Sequence, residues 1–268
     1  MCIAVWLWQS HPLYPFILLL NRDEYHNRSS KPAAWWEEEP QILGGRDCRA
    51  GGTWLACSRD GRVAFLTNFL EPQVLPDAKT RGDLPVRFLQ SAKSPLEFAL
   101  EVKREGCQYN GFNLILADLC TKKMAYVTNR YKGEALHAQE VLPGCHVLTN
   151  ANLDSPWHKA ERLGRNFKDL IQQYGGKEIH EKNMVEKLMN DTVKAERNML
   201  PGTGHDPEWE FNLSSIFVET DTKMGRYGTR SMVGLSAKTT GEVTFYERYI
   251  DQESWKEQTI VYQIGNQQ

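Results

Sequence analysis

The stretch MCIAVWLWQ, residues 1–9, sets the reading of this chain. Ile3, Val5 and Leu7 alternate with Ala4, Trp6 and Trp8, so a strand built from them is apolar on both faces. A second such run occupies residues 14–21, ending in Leu18-Leu19-Leu20-Asn21. Strands without a polar face are buried between layers rather than exposed on one side. The cysteine behind the initiator Met1 has two readings. It is a small apolar residue filling a core position. Alternatively, removal of Met1 gives Cys2 a thiol and a free α-amine on one residue, a nucleophile with its own base.

Downstream segments extend this plan. TWLACSRDGRVAFLTNF, residues 53–69, reads as a hairpin turning at Asp60-Gly61. Ser94-Pro95 is an N-cap and first-turn pair for a helix over LEFALEVKRE, with Gly106 as its stop. GFNLILADL (111–119) and KMAYVTN (123–129) form a second strand pair, followed by a short strand at GCHVLTN (144–150). Ser155-Pro156 starts another helix, in which Trp157, Ala160, Leu163, Phe167, Leu170 and Tyr174 recur at helical spacing. EKNMVEKLMND (181–191) continues as helix, and PGTGHDPEWE (201–210) reads as a loop. The tail predicts strands at SSIFVET (214–220), TRSMVGLSA (229–237), EVTFYERYI (242–250) and TIVYQIG (259–265). Strand groups joined mainly by hairpins and separated by helices indicate an α+β layered fold, read as one domain over residues 1–268.

Bulk properties exclude several functions. The chain has 268 residues, a formal net charge of −2 and no basic run longer than a pair. That balance gives no electrostatic reason to expect nucleic acid as a partner. The apolar stretch from Leu13 to Leu20 is too short to span a bilayer, and no basic, cleavable leader precedes it. Without such a leader its six cysteines read as reduced thiols of an intracellular, soluble protein, and because none form a CxxC pair no zinc site is expected.

Met-Cys-Ile at the start, Asn21-Arg22-Asp23-Glu24, GGTWLA, LTNF, YNGFNLI, LTNANLDSPWHK and YGTR together resemble the NRDE family, that of the transport and Golgi organisation protein two. The resemblance spans nearly the whole chain. More distantly, the same landmarks are similar to N-terminal-nucleophile hydrolases of the choloylglycine hydrolase and acid ceramidase kind. It implies an αββα sandwich of two antiparallel sheets, with Cys2 as nucleophile at the head of a central strand. It further implies that Arg22 supports the thiolate, Asn68 donates to an oxyanion, Asn150 orients the α-amine or substrate, and Arg230 completes a charged wall. The acidic role implied for Asp23 conflicts with strand geometry, because it adjoins Arg22 and neighbouring strand residues face opposite ways. Each has a structural alternative: ion pairing for Arg22, backbone capping for Asn68 and Asn150, solvation for Arg230.

Two activities follow from the resemblance. One is support of Golgi organisation and secretion, with haem or acyl-CoA as a carried lipid-like ligand. The other is hydrolysis of an amide C–N bond in an acylated small molecule, which needs no cofactor. The implied location is cytoplasmic, with at most peripheral association with Golgi or mitochondrial membranes.

Overall fold

A computed structural model describes residues 2–130 and 136–265. The chain divides into two compact units, and it passes between them several times. Among the described residues, the first comprises 2–27, 143–149 and 153–262; the second comprises 28–130, 136–142, 150–152 and 263–265.

The first unit is an antiparallel sheet carrying helices. Its strands are β1 (Cys2–Trp8) and β2 (Phe16–Tyr25), then β10 (Gly144–Leu148), β11 (Glu219–Thr222), β12 (Gly225–Ala237), β13 (Glu242–Asp251) and β14 (Ser254–Gln263). The order is β10-β1-β2-β12-β13-β14, with β11 paired to β12. β1 therefore lies inside the sheet, between β10 and β2, as its two-sided apolar pattern predicts. Every residue of β1 is buried. Ile3, Val5 and Leu7, with Ile17 and Leu19 of β2, pack against helices α3 (His158–Tyr174) and α4 (Glu181–Leu188). Leu163, Phe167 and Leu170 of α3 meet that face, the stripe set by the helical spacing. α3 ends at Gly175, whose φ of 57° is the left-handed conformation that glycine adopts without a Cβ penalty.

The second unit has its own sheet: β3 (Ser30–Trp35), β4 (Ile42–Asp47), β5 (Leu55–Ser58), β6 (Arg62–Asn68), β7 (Phe112–Asp118), β8 (Lys123–Thr128) and β9 (His137–Glu140), in chain order. The Asp60-Gly61 hairpin joins β5 to β6, with Gly61 at φ 88°. Helices α1 (Asp83–Gln90) and α2 (Pro95–Glu105) cover one face, where Leu84, Phe88, Phe98 and Val102 pack on Ala64, Leu66, Leu114 and Val127. Ser94 and Glu97 form a reciprocal capping box at the start of α2, as the Ser-Pro signal predicts.

Four expectations are corrected. β2 does not stop at Asn21; it runs through Arg22, Asp23 and Glu24 to Tyr25, held by β12 opposite. α3 begins at His158, with Trp157 at its N-cap, so Ser155-Pro156 belongs to the preceding turn. The segment read as loop contains a short helix, α5 (Pro207–Asn212), because the Asp206 carboxylate accepts from the Glu208 and Trp209 amides and Pro207 sits in the first turn. Residues 214–218 are not strand; β11 begins at Glu219.

Phe167 is fully buried in the first unit's core. Phe167→Ala should cost about 3–5 kcal/mol, as deletions of buried aromatic rings do. Urea unfolding of the variant against the parent protein measures it.

Candidate active site at the head of the first strand

The register of β1 on β2 places Cys2 directly opposite Arg22. Directly opposed residues of an antiparallel pair share a face. Since Ile3 and Asn21 are the next pair, and Ile3 packs toward the helices, Cys2 and Arg22 point to the opposite face. Both are nearly sequestered, at 7% and 5% exposure. Across β2, Arg22 faces Ser231 of β12. The Ser231 hydroxyl donates to the buried Glu247 carboxylate at 2.8 Å, and the Gln258 amide donates to its other oxygen at 3.0 Å.

β12 carries an irregularity at this level. Thr229 opposes Asp23 and Ser231 opposes Arg22, so Arg230 is an extra residue on the bulged strand. The bulge re-aims its side chain, and Nη1 donates to the Tyr25 carbonyl at 3.1 Å. Arg230 is thus not a solvated turn residue but half-buried in the sheet. Burial pushes its guanidinium below the usual range; the positive charge of Arg22 adds to that shift and Glu24 opposes it. The YGTR motif thereby sets a second guanidinium in electrostatic reach of Arg22.

Asp23 takes the helix-side face, as strand alternation requires once β2 continues. Its carboxylate accepts from the Thr229 hydroxyl at 2.7 Å, and its carbonyl accepts from the Tyr227 hydroxyl at 3.3 Å. Asp23 is buried, and burial pushes its carboxyl up, while the Lys159 charge, the Thr229 hydroxyl and Arg22 pull it back. The Cys2 thiol is likewise raised by burial; the Asp23 charge adds to the rise and Arg22 opposes it. Asp23 therefore acts on Cys2 electrostatically although Arg22, not Asp23, is its cross-strand partner. Met1, whose removal frees the α-amine in the nucleophile reading, lies outside the described residues.

Three participants had no role assigned from the sequence. Asn21 is fully buried on the helix-side face and donates through Nδ2 to the Met189 carbonyl at 2.8 Å and the Ile216 carbonyl at 3.0 Å. It ties β2 to the segments after α4. Tyr227 is buried against Tyr25 and Trp209, with ring centroids at 4.9 and 5.2 Å. Lys159 is 2% exposed and donates to the Leu213 carbonyl at 2.9 Å. Each stands inside a motif quoted from the sequence, as the Asn of NRDE, the Tyr of YGTR and the last residue of LTNANLDSPWHK.

Asn68 and Asn150 belong to the second unit. There Asn150 donates through Nδ2 to the Asn68 carbonyl at 2.8 Å, and its own carbonyl accepts from the Leu70 amide at 2.8 Å. Asn113 of β7 donates to the neighbouring Ala151 carbonyl at 2.9 Å and to the Thr67 hydroxyl at 3.2 Å, and it accepts from the Tyr126 hydroxyl at 2.8 Å. The LTNAN segment is thus pinned to β6 and β7 by side-chain amides. Among the described residues no group of three or more His, Cys, Asp or Glu is placed to hold a metal ion.

Residues 1–252 match the family described as Transport and Golgi organisation 2. The chain belongs to that family. Relatives in the Transport and Golgi organisation 2 family include a mouse protein, "Transport and Golgi organization 2 homolog", 34% identical over 278 residues, covering 98% of this chain and 99% of the relative. A human homolog of the same name-group is 32% identical over 280 residues, covering 98% and 99%. Two variant crystal structures of a conjugated bile acid hydrolase from Clostridium perfringens superpose with TM-scores of 0.53 and 0.51 at 11% and 10% identity, each covering 98% of this chain and 97% of that one. At such identity the likeness is one of fold. It shows the α+β sandwich with antiparallel sheets expected from the sequence, in an N-terminal-nucleophile hydrolase-like form.

Asn21→Ala removes the donor to two buried carbonyls. It should lower stability by about 2–6 kcal/mol, on the basis of 1–3 kcal/mol per unsatisfied buried group. Thermal or urea unfolding checks this, with Asn21→Asp as a same-size control that also removes the donating amide.

Proposed function

We propose that this chain is a cysteine amidohydrolase that uses Cys2 to cleave an amide C–N bond in an acylated small molecule. The observation that carries this reading is the placement of Cys2: a buried thiol at the head of an interior strand, in register with Arg22, with Asp23 in electrostatic reach. A nucleophile at this place gains a guanidinium beside it, which favours the thiolate.

The chemistry follows from the residues once Met1 is trimmed. An α-amine titrates at about 8 and a free thiol at about 8.5, so the neutral amine can take the thiol proton near neutrality. Burial raises the resting thiol, so Cys2 is held protonated and depends on such a local base. Sγ attacks the amide carbonyl carbon while its proton passes to the amine. The ammonium then protonates the leaving nitrogen, the C–N bond breaks, and a thioester remains on Cys2. Water attacks the thioester, giving up its proton to the amine, and the sulfur departs to recover that proton. The products are a carboxylic acid and an amine.

A second reading is supported by the same burial. A thiol pushed up and kept neutral also suits a core residue of a carrier that holds a lipid-like acyl chain or acyl-CoA without cleaving it. Haem fits these residues less well, since thiolate ligation needs the ionised sulfur that burial disfavours. Under either reading the family name supports a role in transport and Golgi organisation. We extend it to support of secretion by a cytoplasmic protein associated at most peripherally with Golgi or mitochondrial membranes. No helix among the described residues is long and apolar enough to cross a membrane.

Protein whose intact mass confirms loss of Met1 should, when mixed with a panel of N-acyl amides and quenched in acid, carry an acyl mass on its N-terminal peptide. Cys2→Ala should carry none, and Cys2→Ser should acylate far more slowly. Absence of any adduct on trimmed wild-type protein, together with full cellular function of Cys2→Ala, would replace the hydrolase reading by the carrier one.

A further inference from the structure

Lys159 breaks two local rules at once. It is the second residue of α3, where the helix dipole favours an anion and disfavours a cation. It is also nearly inaccessible, and a buried ammonium is costly unless it is paired. Its ammonium donates to the carbonyl of Leu213. The segment that follows Leu213 reaches β12, where the Val218 amide donates to the Thr229 hydroxyl at 2.9 Å and the Thr229 amide donates to the Val218 carbonyl at 2.8 Å. Thr229 in turn donates to Asp23. Lys159 and Asp23 are two buried groups of opposite charge tied to one segment, at Leu213 and, through Thr229, at Val218, and each lies in electrostatic reach of the other.

We propose that Lys159 is a positioning residue for the Cys2 nucleophile, the built-in cation that offsets the Asp23 carboxylate so that the field at Cys2 favours loss of the thiol proton. This rests on the reading of Cys2 as a nucleophile. Asp23 alone would oppose thiolate formation and would hold a neighbouring α-amine in its charged form, useless as a base. Arg22 offsets part of that field from the other face of β2. Lys159 opposes it too, from the helix side, where burial pulls its own charge down while Asp23 and Cys2 hold it up. Tyr227 faces the same cluster, and burial pushes its hydroxyl well above the usual range so that it stays neutral; Glu24 and Tyr25 lie in electrostatic reach of it, and Arg230 in reach of Arg22.

The test is the pH dependence of Cys2 alkylation by iodoacetamide, quantified on the N-terminal peptide by mass spectrometry so that the other five cysteines do not contribute. It uses full-length protein with Met1 removed. Lys159→Met should slow Cys2 alkylation at pH 7 about tenfold and move the profile to higher pH, a shift of the size an adjacent charge produces. Lys159→Arg keeps the charge and should recover most of that roughly tenfold loss. Asp23→Asn should shift the profile the other way, and the Lys159→Met/Asp23→Asn pair should return toward wild type. A folded Lys159→Met with the parent profile overturns the proposal. If Lys159→Met does not fold, Asp23→Asn decides: an unchanged or slower rate at pH 7 overturns it equally. Failure to trap an acyl adduct would sink the hydrolase reading and leave these shifts intact, so the two outcomes are separable.

Discussion

The pairing of β1 with β2 is the constraint on which the candidate site depends. Cys2 meets Arg22 only because Ile3 meets Asn21, Val5 meets Leu19 and Leu7 meets Ile17 in the same ladder. Those apolar pairs are buried against α3 and α4. A slip of one residue would turn the whole helix-side set around and send Cys2 into the core beneath the helices. Hydrophobic burial along five residues of strand thus fixes the direction of a thiol at its end. Because both faces are buried, the strand has no neutral register in which the site is lost but the packing survives.

The same alternation explains why the NRDE run can serve two faces of one sheet. β2 continues as strand through all four residues, so Arg22 and Glu24 share one face while Asn21 and Asp23 share the other. Asn21 supplies fixed hydrogen bonds to the segments after α4, and Asp23 meets Thr229. The bulge at Arg230 reconciles this ladder with the partner strand: one extra residue in β12 carries a second guanidinium without displacing the pairs on either side.

What the sequence made legible follows from the range of each signal. Period-two patterning and the Asp60-Gly61 turn are local, and they located β1, β5 and β6 closely. The Ser94 capping box is also local, and it placed α2. β3 and β4 escaped because Lys31, Pro32, Gly44, Gly45 and Arg46 interrupt any alternation, and their pairing is set by neighbours in the sheet rather than by their own residues. α5 was missed although Asp206-Pro207 is a clear cap, because the surrounding glycines and proline dominate the composition. In the candidate site, Cys2 and Arg22 were legible from position and motif. Lys159 was not, since nothing in a run such as SPWHKA tells a buried lysine from the exposed one that helix patterning predicts.

The charged groups then divide by what their burial requires. Arg28 with Asp47, or Arg197 with Glu208, are partly or largely exposed pairs and are worth little to stability in water. Asp23, Lys159, Arg22 and Glu247 are different, because all four are buried within one sheet and its helices. A sequence selected only for stability would replace such charges with apolar side chains of similar size, which is neutral or favourable in many cores. Three of them, Arg22, Asp23 and Lys159, lie in electrostatic reach of Cys2, an arrangement that suits the proposed nucleophile more than it suits stability.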